Sequence, residues 1–131
     1  MAFGTATVFT NTGRAGVTSA LNTGTTTPPK FIALGSGATA AARTAAVTDT
    51  ALSAELAVGR ATGTSSVVTT TVTNDTLQVV GTVTATTAAA VDEAATFTAA
   101  TAGSMYVSAT FPVVNLAVGD SLALTAKTVF A

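Results

Sequence analysis

Histidine and cysteine are both absent from the 131 residues, which removes the commonest general base and the strongest nucleophile. What remains for chemistry is one adjacent acidic pair, Asp92-Glu93, together with Lys30, Lys127 and many hydroxyls. Adjacent residues on a strand point to opposite faces, so these two carboxylates would not converge for acid–base work. The pattern instead predicts a solvated Asp92 and a Glu93 that caps a turn or bonds Arg60 or Arg14, a contact usually worth little. Calcium needs six or more oxygens at short spacing, and the sequence offers no such carboxylate cluster. A Ser-Lys or threonine nucleophile is formally available, but no hydroxyl has an evident base beside it. Gly35-Ser36-Gly37 has no Lys-Thr at phosphate-loop spacing and reads as a turn. Met105-Tyr106 and Phe111 fall at strand spacing, where such residues are core more often than pocket lining. The expectation is a non-enzymatic protein with no catalytic residues, no cofactor and no metal.

Charge is scarce as well. Only 8% of residues are charged, against about a quarter in ordinary domains. The cations are Arg14, Lys30, Arg43, Arg60 and Lys127; the anions are Asp49, Glu55, Asp75, Asp92, Glu93 and Asp120, for a net charge of −1. Soluble proteins usually rely on charge to stay dispersed. Two readings follow: neighbouring chains normally cover the surface, or a neutral threonine-rich face keeps it hydrated. Five scattered cations and few aromatics make no nucleic-acid surface. No apolar run approaches the ~20 residues of a membrane-spanning helix. Met1-Ala2-Phe3-Gly4 lacks the basic and apolar regions of a signal peptide, so cytoplasmic synthesis is expected.

The elements that would position these residues are mostly strands. There are 30 threonines, a β-branched residue that suits extended backbone and disfavours long helices. Thr5–Phe9 reads as a short strand or extended arm. A short helix is expected after it, capped by Asn11 or Thr12, with Val17 and Leu21 on one face and Asn22 or Gly24 closing it. Pro28-Pro29 marks a loop, and Lys30–Gly35 a buried strand. Ala38–Ala57 is either a long connection or holds one helical turn capped by Asp49. Ser66–Thr73 and Thr76–Thr86 read as strands of a hairpin turning through Asn74-Asp75. In the second run Leu77, Val79, Val83 and Ala85 share a face. Val91–Phe97, Met105–Phe111 and Ser121–Phe130 are further strands, with Pro112 ending the middle one or placing it at an edge. The whole predicts one domain over residues 1–131, all-β: an antiparallel β-sandwich or jelly-roll-like barrel with at most one or two short helices. Residues 1–10 could serve it as an extended docking arm.

Three stretches together resemble a group of small structural proteins of tailed bacteriophages. The first is Phe9-Thr10-Asn11-Thr12-Gly13-Arg14 leading into a short helix. The second is Phe31-Ile32-Ala33-Leu34-Gly35-Ser36-Gly37, followed by Asp49-Thr50-Ala51-Leu52-Ser53-Ala54-Glu55 and Arg60. The third runs from Glu93-Ala94-Ala95-Thr96-Phe97 through Gly103-Ser104-Met105 and Phe111 to Gly119-Asp120-Ser121-Leu122. It departs from the group's pattern at Ala95-Thr96, where Gly-Leu would stand.

The resemblance implies a virion protein made in the host cytoplasm, in the first reading a capsid decoration or cement protein over the junctions of major capsid subunits. A tail, collar or fibre-attachment subunit is the alternative. A host- or glycan-binding module is the third reading, weakened by the absence of Trp and the single Tyr, since sugar sites favour aromatic platforms. Partners would be other virion subunits and the chain itself, as a trimer or dimer. The residues expected to carry contact are apolar and near the ends: Phe3, Val8, Phe9, Val129 and Phe130. Each would dock into its own core or onto a neighbour, by strand addition in the second case.

Overall fold

Thr10 sets where the chain leaves its first strand and becomes helical. The computed structural model describes residues 6–130. In it, β1 (Ala6–Phe9) is followed directly by α1 (Asn11–Thr23). The buried Thr10 Oγ1 accepts from the Gly13 amide at 3.0 Å and donates to the Met105 carbonyl. The cap is therefore Thr10 and not the expected Asn11 or Thr12, because only Thr10 can serve both the helix and the neighbouring strand at once. Gly24 closes the helix at φ 70°, a left-handed position that suits glycine, with its N–H on the Ala20 carbonyl. Gly13 and Gly16 bring the helix close to the sheet. A Cβ on Gly13 would stand 2.7 Å from the Phe9 ring, and one on Gly16 1.9 Å from the Tyr106 hydroxyl.

The remaining elements are β2 (Phe31–Gly35), β3 (Ala61–Thr62), β4 (Thr64–Val68), β5 (Thr76–Thr84), β6 (Ala89–Phe97), β7 (Met105–Leu116) and β8 (Ser121–Val129). They form two antiparallel sheets, a five-stranded one ordered β1-β7-β6-β2-β3 and a three-stranded one ordered β4-β5-β8. The all-β sandwich expected from the sequence is what the chain adopts, with one short helix among the described residues. Between the sheets lie Ile32 and Leu34 of β2, Val79 and Val83 of β5, Val91 and Ala94 of β6, and Leu124 and Ala126 of β8. The period-two face read in β5 meets the alternating Leu124 and Ala126 of β8 there.

The larger sheet is covered on its other side too. Ala33, Ala95, Phe97 and Met105 gather there with Leu52, which comes from the long segment between β2 and β3. That segment runs back along β2: the Ser36 amide donates to the Ala54 carbonyl at 3.0 Å, and the Leu56 amide to the Leu34 carbonyl at 2.9 Å. No helical turn forms at Asp49, whose carboxylate is engaged elsewhere.

Several strand boundaries shift by two residues or more, and two of the differences change how the chain is connected. β4 ends at Val68, so the connection to β5 is the longer loop of residues 69–75 and not a two-residue turn. Asp75 organises it by accepting from the amides of Thr70, Thr71 and Val72 at 2.8–2.9 Å. The Val72 amide leads the other donors in holding its carboxyl well below the usual range, against the opposing effect of burial. β7 does not stop at Pro112 but continues to Leu116. Its partner register jumps from Glu93↔Thr110 to Val91↔Val114, so Pro112 falls in a bulge where no ladder bond is required of it.

Candidate functional site

The acidic pair proves to be structural and buried. Asp92 is 3% exposed and Glu93 0%, so the expectation of a solvated Asp92 is wrong. β6 is covered on both faces, and even residues pointing to opposite sides remain inside. The bulge beside Asp92 turns it toward the start of the long segment, where it accepts from the Ala38 amide at 3.1 Å and the Thr39 amide at 2.7 Å. Burial pushes its pKa up, and these amides more than offset that, leaving it below the ordinary carboxylate value.

Glu93 lies across Gly35, where a Cβ would come within 2.6 Å of its carboxylate. It accepts from the Ala54 amide at 3.1 Å and from Arg43 at 2.7 Å, so its partner is neither Arg60 nor Arg14. Arg43 also pairs with Asp49, and Asp49 accepts from the Ala46 amide and the Ser108 hydroxyl. Burial raises the Asp49 pKa, but the Ala46 amide, the Ser108 hydroxyl and Arg43 together bring it below the usual value. Arg60 instead stacks on Phe97, 3.5 Å from the ring centroid, and bonds Glu55 and the carbonyls of Ala99 and Ala102. These groups spend their hydrogen bonds fastening the segment between β2 and β3 to the sheet. Among the described residues no group of three or more acidic residues is placed to hold a metal ion.

The surface that stands open is apolar. At one end of the sandwich, the space between the two layers widens into a cleft of about 460 Å³. Val67 of β4 and Leu77 of β5 lie directly opposite one another in register and line one wall. Phe130, just beyond β8, extends that wall. Helix α1 supplies Val17, Ala20 and Leu21 across the gap, Tyr106 lies between, and Pro28 and Pro29 border the mouth. None of the described lining residues is charged. Leu21 is 84% exposed, Val67 61% and Phe130 49%, although Val67 and Phe130 have the parity of the core-facing residues of their chains. The expected face of Val17 and Leu21 therefore exists, but it looks into the cleft.

Phe9 and Phe130, from opposite ends of the described chain, meet here edge to face at 5.7 Å, and Phe9 meets Tyr106 at 6.0 Å. Val8 and Phe9 are half-buried in β1, which pairs with β7 in the chain's own sheet at Val8↔Ser108 and Phe9↔Val107. Val129 is half-exposed at the end of β8. Phe3 lies outside the described residues. Tyr106, read from its spacing as core, is only 5% exposed yet contributes to the cleft. Leu21, Val67 and the two prolines were not among the residues singled out for contact; the signal that could have found Val67 is its shared parity with Leu77 across a hairpin. No family model matches the chain, and neither do any curated protein or solved structure.

Proposed function

We propose that this chain is a non-enzymatic structural subunit of a tailed-phage virion, a capsid decoration or cement protein that works by docking on other chains. The observation that carries this reading is the uncharged cleft, around which Leu21, Val67 and Phe130 stay exposed on a molecule with so few charges. Contiguous apolar surface of this kind is a contact surface more often than an accident. The sequence resemblance to small phage structural proteins supplies the setting. Its neutral faces cost less to desolvate than charged ones would, which favours assembly, including a symmetric dimer or trimer of the chain itself.

Quantitative densitometry of purified particles tests the reading. Hundreds of copies per virion are expected for a decoration protein. A dozen or fewer would move it to the tail, collar or fibre attachment, and absence from the particle would remove the virion role altogether. Mass in solution tests the self-association separately, since a monodisperse 12.7 kDa species would leave the low charge to another cause.

A further inference from the structure

The cleft has an open strand edge along one side. Successive side chains of a strand point to opposite faces, yet Ser65, Ser66 and Val67 all line the cleft. Three consecutive residues can do so only where the strand's edge itself borders the opening. β4 is the outermost strand of its sheet, paired with β5 on one side and with no strand on the other among the described residues. Its free backbone groups are a template for a further strand.

A second feature lies inside the cleft. The Tyr106 side chain is almost entirely buried, but its hydroxyl, without a hydrogen bond among the described residues, keeps contact with the solvent of the cleft. A Tyr hydroxyl at such a wet edge can donate to a main-chain carbonyl of whatever enters.

We propose that the cleft and the open edge of β4 form an acceptor site for a strand of another virion protein. The occupant is an extended, uncharged segment with apolar residues in alternation. Its backbone adds to β4 and every second side chain enters between the layers. The chemistry of the lining selects it: a charged side chain would lose its hydration with nothing to pair it. A small amphiphile filling the floor would leave Leu21 uncovered. A second copy is the competing occupant, but the strands at its sheet edges already commit one face to its own core, and the test below separates the two. This deepens the assembly reading and rests on it only for the partner's origin; particle incorporation and peptide binding are separate measurements, so either can fail alone.

The test uses the full chain and a capped, uncharged heptapeptide alternating threonine with valine and phenylalanine, followed by calorimetry and amide chemical shifts. Binding is expected with shifts centred on residues 64–68, Tyr106 and the 17–21 face of α1. Methylating alternate peptide amides, which blocks strand addition but keeps the side chains, should weaken binding about tenfold. Val67→Asp, at a position 61% exposed in the free protein, should weaken it by about as much. Tyr106→Phe should weaken it severalfold while leaving the melting temperature unchanged, since the hydroxyl holds nothing in the free protein. The proposal is overturned by any of four results: no peptide binding; equal binding of the methylated peptide; displacement of the peptide by a medium-chain alcohol at equal concentration; or loss of a homo-oligomer in Val67→Asp, which would make the cleft a contact between copies.

Discussion

Arg43 and Glu93, separated by fifty residues of chain, meet guanidinium to carboxylate at 2.7 Å, with Glu93 wholly shielded from solvent. Removing Arg43 would leave that carboxylate buried beside Gly35 with one amide donor and no countercharge. Breaking a buried pair costs about 3–5 kcal/mol. Arg43 itself keeps 21% exposure, so Arg43→Ala is expected near the lower end, about 3 kcal/mol. Arg43→Ala combined with Glu93→Gln should recover a good part of the loss. Urea unfolding of the single and double variants measures both, and additive losses would show that the pair is not coupled.

Acid should loosen the same region. Asp49 and Asp92 both have folded pKa values below the ordinary 3.8. The unfolded chain therefore takes up protons first, and the stability these groups contribute is fully present above the ordinary value and lost as pH falls through the lower folded values. Hydrogen exchange compared at about pH 6 and below about pH 3, after correction for the intrinsic rate, should show lost protection. The amides of Ala38, Thr39 and Ala46, which bond these carboxylates, should lose it before those of β5 and β8. Uniform loss across the molecule would mean the carboxylates do not hold the segment.

The Thr96 hydroxyl is buried without a hydrogen-bond partner among the described residues. A threonine in this state sacrifices solvation for nothing, at a cost of about 1–3 kcal/mol. Thr96→Val keeps the shape and removes the polar atom. It should raise stability by about 1 kcal/mol, visible in the denaturation midpoint. A drop would reveal a partner, such as a bound water, at that position.

Helix α1 offers two alanine substitutions that propensity alone would rank together. Thr18→Ala, on the exposed face, should stabilise by about 0.5 kcal/mol. Gly16→Ala gains about 1 kcal/mol in propensity but drives a methyl into the Tyr106 ring, and overpacking costs about 1–3 kcal/mol. A net loss is expected, with the Tyr106 ring displaced toward the cleft. Thermal melts give the sign, which should be opposite for the two variants.

What the sequence makes legible depends on how differently the two sides of an element are solvated. β5 and β8 each present one core face and one wet face, so Val79, Val83, Leu124 and Ala126 stand out by alternation alone. β6 reads Ala89 to Phe97 with small apolar residues at both parities, because both of its faces are covered; that lack of alternation was the warning that Asp92 could not be solvated. The Arg43–Glu93 contact left no local trace, since pattern reasoning sees neighbours in sequence and this pair is joined only by topology. The loop of residues 69–75 was mistaken for a tight turn because threonine and valine suit a strand as well as a loop, and Asp75's three amide bonds decide between them. The cleft was half visible: Val17 and Leu21 announced an apolar face, and the parity of Val67 and Phe130 pointed inward, but nothing in the sequence showed that these faces would stay apart.

The larger sheet is gripped from two sides by different mixtures of forces. Toward β5 and β8 it is held by hydrocarbon, whose hold weakens on cooling. Toward the segment between β2 and β3 the apolar cluster around Leu52 is joined by ion pairs and charge-assisted hydrogen bonds, for which the desolvation penalty shrinks on heating. Cold and acid therefore act on different halves of one molecule. The molecule would lose the grip of the small sheet first in the cold, and the fastening of the long segment first in acid.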